Sequence, residues 1–191
     1  MKLITENIEE IKYLTETTES GKKSLYIQGP FLVGERANRN RRLYKMDTLR
    51  EEVKRYTDEY ISANRALGEL DHPDSSVVEL KNASHIVTEI EMRGKDVIGK
   101  VKVLDTPAGR ILKDLVRGGV KLGISSRGLG SVKASSGKNL VQEDFQLICF
   151  DFVSDPSTVG AFMIAEGKNR TSNIFTRADR INRALNDIFR D

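Results

Sequence analysis

The 191-residue chain has no tryptophan, one cysteine, two histidines and four prolines, and only 6% of its residues are aromatic. A single cysteine, Cys149, cannot close an intrachain disulfide. That excludes a disulfide framework and any Cys-rich zinc module, and it points to a reducing, cytoplasmic setting. No apolar run approaches the roughly 20 residues that cross a bilayer. The amino-terminal stretch MKLITENIEEIKYL meets Glu6, Glu9 and Glu10 before a signal-peptide core can develop, so secretion is not expected. Long Pro, Gly, Ser or Gln tracts are also missing, while apolar residues make up 38% and recur throughout, which argues for a folded chain. The length suits one compact domain.

Charge of one sign is scarce as well, the net value being +3. It resides in one place: residues 167–191 hold Lys168, Arg170, Arg177, Arg180, Arg183 and Arg190 against Asp179, Asp187 and Asp191. The expected organisation is a domain over 1–166 followed by a basic tail over 167–191. Such a tail suits an acidic partner, and it equally suits a solvated terminal helix over Arg177–Arg190.

Periodicity places the elements. SLYIQGPFLV (24–33) reads as a strand with a bend at Gly29-Pro30. Met46, Leu49, Val53, Tyr56, Tyr60 and Ile61 recur at helical spacing over 46–63, with Asp47 as the expected cap. Alternation over 83–92 and a second strand over 96–105, joined through Arg93-Gly94-Lys95, predict a hairpin. Thr106-Pro107 starts a short helix that presents Ile111, Leu112, Leu115 and Val116 and stops at Gly118-Gly119. Two further strands are expected over 120–133 and 139–153, joined by an ASSGKN turn. At least five strands with a few helices make an α+β chain that is mainly β.

Chemistry is confined by the two histidines. His72 stands in GELDHPD, in a polar turn where a side chain can face a cleft, whereas His85 falls in a strand and reads as a structural or sheet-surface residue. GISSRGLGS (123–131) ends an apolar strand with two serines, and its glycines admit a close backbone, although it lacks the phosphate-loop pattern. In EDFQLICFDFVSDPS (143–157), Asp151 interrupts an apolar strand and needs a partner. Simple alternation puts it on the face of Phe145, Leu147 and Cys149, opposite Phe150 and Phe152. Serine, histidine and aspartate are together the residue types of nucleophilic acyl transfer: a hydroxyl to attack, an imidazole to take its proton and a carboxylate to orient the imidazole.

Taken together, NRNRRLY (38–44), ALGELDHP (66–73), GISSRGLGS and FQLICFDFVSDPS resemble, in that order, the prohead core protein proteases of large contractile-tailed phages. The resemblance spans about residues 24–157. That family is similar to the herpesvirus assembly proteases, so it implies a herpesvirus-protease-like β-barrel surrounded by helices and a serine endopeptidase activity. His72 would be the general base, and a serine of GISSRG the nucleophile. The Ser-x-Gly pattern of the wider superfamily fits Ser126-Arg127-Gly128 and favours Ser126, with Ser125 as the alternative. Asp151 would take the third place, which a second histidine fills in the herpesvirus enzymes. Oxyanion donors would come from Asp155–Gly160 or from Arg127-Gly128.

The resemblance further implies cleavage after glutamate in an Ile/Leu-x-Glu context before a small residue, with Arg127, Arg42 or Arg117 as candidate pocket cations. Ile164-Ala165-Glu166 is followed by Gly167, so autoprocessing there would release the basic tail. The implied partners are phage scaffold or core proteins and capsid proteins as substrates, the chain itself, and a second copy as in the herpesvirus relatives. The implied place is the assembling prohead in the host cytoplasm.

No cofactor and no metal are expected, because Asp71, His72 and His85 lack a ligand spacing. Nucleic-acid binding through Arg36, Arg39, Arg41, Arg42 and the tail is disfavoured by the scarcity of stacking residues. The competing reading is a non-catalytic scaffold component with the same fold.

Overall fold

The computed structural model describes residues 2–8, 12–17, 23–38, 40–73, 75–135 and 137–154. Their strands are β1 (Lys2–Ile8), β2 (Lys12–Thr17), β3 (Lys23–Val33), β4 (Arg42–Leu43), β5 (Leu67–Glu69), β6 (Ala83–Arg93), β7 (Asp96–Val103), β8 (Gly123–Gly130), β9 (Val132–Ser135), β10 (Lys138–Val141) and β11 (Gln146–Val153). The helices are α1 (Met46–Tyr56), continued by a π-turn over Thr57–Ile61, and α2 (Pro107–Arg117). The chain is therefore mostly β with few helices. No helix among the described residues is long and apolar enough to cross a membrane.

The ladders among these residues form three sheets, ordered β2-β3-β7-β6-β5, β1-β8-β11 and β4-β10-β9, and they close no barrel. The first two sheets meet where β5 runs out: Leu70 makes a parallel bridge to Phe152, and the Asp71 N–H donates to the Phe152 carbonyl at 2.8 Å. Phe150 is the apolar centre of this junction. Its ring lies 4.7 Å from that of Phe31 on β3 and 5.8 Å, edge-on, from that of Tyr56 on α1. Ile27, Leu49, Val101, Leu112, Ile124 and Phe152 complete the buried centre. Each such side chain contributes on the order of 2 kcal/mol through lost water contact.

Several expectations hold locally. The hairpin β6–β7 turns at Gly94, whose φ of 63° is the left-handed value that a two-residue loop demands. Thr106 caps α2 by accepting from the Gly109 N–H at 3.0 Å, with Pro107 behind it. Others need correction. Asp47 does not cap α1; Lys45 occupies that position with no side-chain capping bond, and Asp47 pairs with Arg50 at 2.8 Å instead. Ile111 is 54% exposed, because α2 turns only Leu112 and Val116 fully inward.

The two long carboxy-terminal strands are each divided in two. Asp144 takes the Ser131 N–H at 2.8 Å and its hydroxyl at 2.6 Å, pinning the break between β8 and β9 beside the turn that precedes β11. The helix expected at Arg177–Arg190 lies outside the described residues.

A bulge at Leu147/Cys149 shifts the register of β11 and changes its faces. Leu147 pairs with Gly128 and joins Phe145, Phe150 and Phe152 in the core, while Cys149 and Asp151 point to the other side. The alternation read from the sequence fails here by one residue. Helix α1 holds the bulge: Glu52 accepts from the Leu147 N–H at 2.7 Å, and Arg55 donates to the Leu147 carbonyl at 2.7 Å.

At Gly68 the junction is too close for a side chain. An added Cβ would lie 2.0 Å from the Phe150 carbonyl oxygen and 2.3 Å from His85 Nε2. Gly68→Ala is expected to lower stability by about 3 kcal/mol, at the upper end for overpacking against backbone. Urea unfolding of the variant beside the wild type checks this, and an unchanged midpoint refutes it.

Candidate active site

The motif around His72 works as a launching strand. Glu69, at the end of β5, is fully buried, Leu70 bridges to β11, and Asp71 adopts a φ of 67°, a left-handed turn that Asp tolerates better than most residues. This turn sends the next side chain back over β11. His72 Nδ1 lies 2.8 Å from Asp151 Oδ2, and the imidazole is 22% exposed. Two of the residues singled out in the sequence thus meet across 79 positions of chain.

Asp151 is fully buried, and its oxygens are well supplied. Oδ1 accepts from the Glu69 N–H at 3.0 Å, from Arg127 Nη2 at 3.1 Å and from the Cys149 thiol at 3.4 Å, and Oδ2 lies 3.0 Å from Arg127 Nε. Burial alone would push this carboxyl up. The hydrogen bond to His72, the charge of Arg127 and the Glu69 N–H outweigh it and hold the carboxyl below its ordinary value. An ionised Asp151 fixes the imidazole with its hydrogen on Nδ1. Nε2 then faces away as the acceptor, buried and without a partner among the described residues.

The pleat separates the two serines. Ser125 and Ser126 are each 1% exposed and lie on β8, opposite Asp151 and Phe150 respectively. Directly opposed residues of an antiparallel pair share a face. Ser125 therefore lies on the Asp151 face with Arg127 and Cys149, while Ser126 lies on the core face with Phe150. The structure brings His72 and Asp151 together and places Ser125, rather than Ser126, on their side of the sheet. The Ser126 hydroxyl is buried with no hydrogen-bond partner among the described residues.

Other candidates fall away. Arg127 is fully buried and ion-paired to both Glu69 and Asp151, so it is not free to bind a substrate glutamate. β8 is the middle strand of its sheet, and its backbone is engaged by β1 and β11, which removes Arg127-Gly128 as an oxyanion donor. The other donor segment, 155–160, lies outside the described residues, as does Glu166–Gly167. Cys149 is a buried thiol, and burial pushes it strongly toward its protonated form.

His85 is structural, but it is fully buried rather than on a sheet surface. The Phe150 carbonyl, 2.9 Å from Nε2, can only accept, so Nε2 carries the hydrogen and Nδ1 accepts from the Ser84 hydroxyl at 2.8 Å. The residue that sequence reasoning missed is Glu69. A carboxylate inside the short strand between Ala66 and Leu70 was the available signal, of the same kind that drew attention to Asp151.

The chain is similar to known proteins both in sequence and in fold. Residues 5–173 match the family described as prohead core protein serine protease. The chain is 36% identical over 170 residues to the prohead core protein protease of Enterobacteria phage T4, covering 86% of this chain and 80% of the other. It is similar in fold to the solved structure of the bacteriophage T4 capsid assembly protease, gp21, with a TM-score of 0.77 and 33% identity, over 81% of this chain and 98% of that one.

Burial pushes the His85 imidazole down to about 4. The unfolded chain, with an ordinary histidine near 6.5, therefore takes up this proton first. Stability from a neutral His85 is full above about pH 6.5 and is lost as pH falls toward 4. Between about pH 7 and pH 4.5 the wild type is expected to lose roughly 2–3 kcal/mol more than His85→Gln, which can still donate to Phe150 but does not titrate. Urea unfolding at both pH values reads the difference, and equal losses would contradict it.

Proposed function

The chain belongs to the prohead core protein serine protease family, the proteases of phage head maturation, and we propose that Ser125, His72 and Asp151 are its catalytic triad. The observation that carries this reading is the 2.8 Å pairing of His72 Nδ1 with Asp151 Oδ2, with Ser125 directly across the ladder from Asp151. His72 Nε2 takes the Ser125 proton as the hydroxyl attacks a peptide carbonyl, then returns it to the leaving amine. Asp151 holds the tautomer and faces the imidazolium as it forms. Water repeats the sequence to free the acyl group. Ser126, the serine favoured by the Ser-x-Gly pattern, packs on the core side and takes no part.

The substrates on this reading are phage core and capsid proteins, met inside the prohead and cut after glutamate in an Ile/Leu-x-Glu context. Ile164-Ala165-Glu166 followed by Gly167 is the site at which the chain trims its own basic tail. A herpesvirus-like barrel belongs to the same reading, supported by the Leu70–Phe152 bridge that joins the two sheets at the site.

Intact-mass measurement of wild type, Ser125→Ala and Ser126→Ala tests both the nucleophile and the cut. Wild type and Ser126→Ala are expected to lose residues 167–191, and Ser125→Ala to keep them, its turnover falling by about 10⁶, with Asp151→Asn costing about 10⁴. Trimming by Ser125→Ala but not by Ser126→Ala would overturn the assignment. Wild type that cuts neither itself nor an Ile-Ala-Glu-Gly peptide would favour a non-catalytic scaffold protein.

A further inference from the structure

Beyond the three triad residues, the site contains an ionic arrangement that the mechanism above does not use. Glu69 and Arg127 are both fully buried and ion-paired to each other. Glu69 is tied to Asp151 twice, through its own N–H at 3.0 Å and through the shared guanidinium. The pair also holds the loop that follows His72. Arg127 Nη1 donates to the Ser75 carbonyl at 2.8 Å, and Glu69 Oε1 accepts from the Glu79 N–H at 2.9 Å. His72 therefore sits between two anchored stretches, β5 before it and residues 75–79 after it.

We propose that Glu69 and Arg127 are positioning residues of the protease: together they hold the Asp151–His72 pair in place and leave it one surplus negative charge for the imidazolium. This inference rests on the triad reading above. One guanidinium stands against two carboxylates, which leaves a single negative charge where water does not reach. Arg127 alone would cancel Asp151 and weaken its hold on a protonated His72. Glu69 restores that hold, so an imidazolium brings the buried group to neutrality.

Among the described residues, the other titratable groups close by are uncharged. The Cys149 thiol on β11 and the Tyr56 phenol on α1 are held protonated by burial, and His85 on β6 is held neutral. Asp71 is exposed, and Glu79 pairs with Lys81 at the surface, so water and salt screen them. Glu69 is left as the charge whose removal His72 should feel most after that of Asp151. Across one intervening side chain in a dry site, such a charge is worth about tenfold in a protonation constant.

The chain has two histidines, so the imidazole ring protons of the full-length protein report on His72 directly by NMR. In Glu69→Gln, a near-isosteric change, the His72 titration midpoint is expected to fall by about one pH unit relative to wild type. The acid limb of kcat/KM for an Ile-Ala-Glu-Gly peptide should move with it, with kcat down about tenfold and KM little altered. Glu69→Asp keeps the charge and should leave the midpoint in place even if the fold loosens. Arg127→Lys, which keeps the cation, should retain more activity than Arg127→Gln.

A His72 midpoint that stays put in Glu69→Gln overturns the proposal. If Glu69→Gln does not fold, a midpoint that moves in Glu69→Asp overturns it instead. The NMR reading does not depend on turnover, so a wild type that cleaves nothing, or a His72→Ala variant that still cleaves, refutes the triad and leaves the charge coupling to be judged by the midpoints alone.

Discussion

The buried guanidinium of Arg127 is the group on which both the sheet junction and the candidate site depend. A charged group without water is costly, and a guanidinium tolerates burial only when each edge of its fork meets an acceptor. Here the acceptors are Glu69 from β5, Asp151 and Cys149 from β11, and the Ser75 carbonyl from the loop after His72. Three separate stretches of chain are thereby fixed to one side chain of β8. Replacing such a knot with apolar residues can cost little stability in principle. What it would lose is the orientation of Asp151, because the same bonds that satisfy the guanidinium aim the carboxylate at His72.

The apolar side of β11 complements this knot. Phe150 and Phe152 alternate with Cys149 and Asp151, so one strand serves the core with one face and the site with the other. The division reaches β8 through the ladder, where Ile124 and Ser126 go inward and Ser125 and Arg127 go to the site. Neighbouring serines thus have unrelated surroundings, although both are buried to the same degree. A period of two separates them, which a local pattern such as Ser-x-Gly does not register.

Much of this was legible in the sequence. The strand over 24–33, the hairpin around Gly94, the Thr106-Pro107 helix start and the pairing of Asp151 with a histidine follow from turn chemistry, capping and the cost of a lone buried carboxylate. Those signals are local or nearly so. Which of Ser125 and Ser126 shares the face of Asp151 was not legible, because that is a property of the register between strands. The faces of β11 were misread for a related reason: Ile148 is an extra residue at a bulge, and strict alternation carried through it puts Phe145 and Leu147 on the wrong side. Glu69 escaped notice because its partner Arg127 is 58 positions away, and only the folded sheet brings them together.

The bulge links the remote helix α1 to the chemistry. Inserting one residue exchanges the faces of everything that follows, so the parity of Asp151 depends on the bulge that begins after Leu147 being held. β11 is the edge of its sheet among the described residues, so the outward N–H and carbonyl of Leu147 lie outside the ladder, and such groups, when buried, must find other partners. Glu52 and Arg55 supply one each, and being themselves ion-paired at 2.8 Å they reach Leu147 as a unit. Their positions on α1 are in turn set by Leu49, Val53 and Tyr56, which anchor the helix in the core. The apolar packing of α1 therefore decides which way β11 turns its carboxylate, and the buried guanidinium of Arg127 then holds it there.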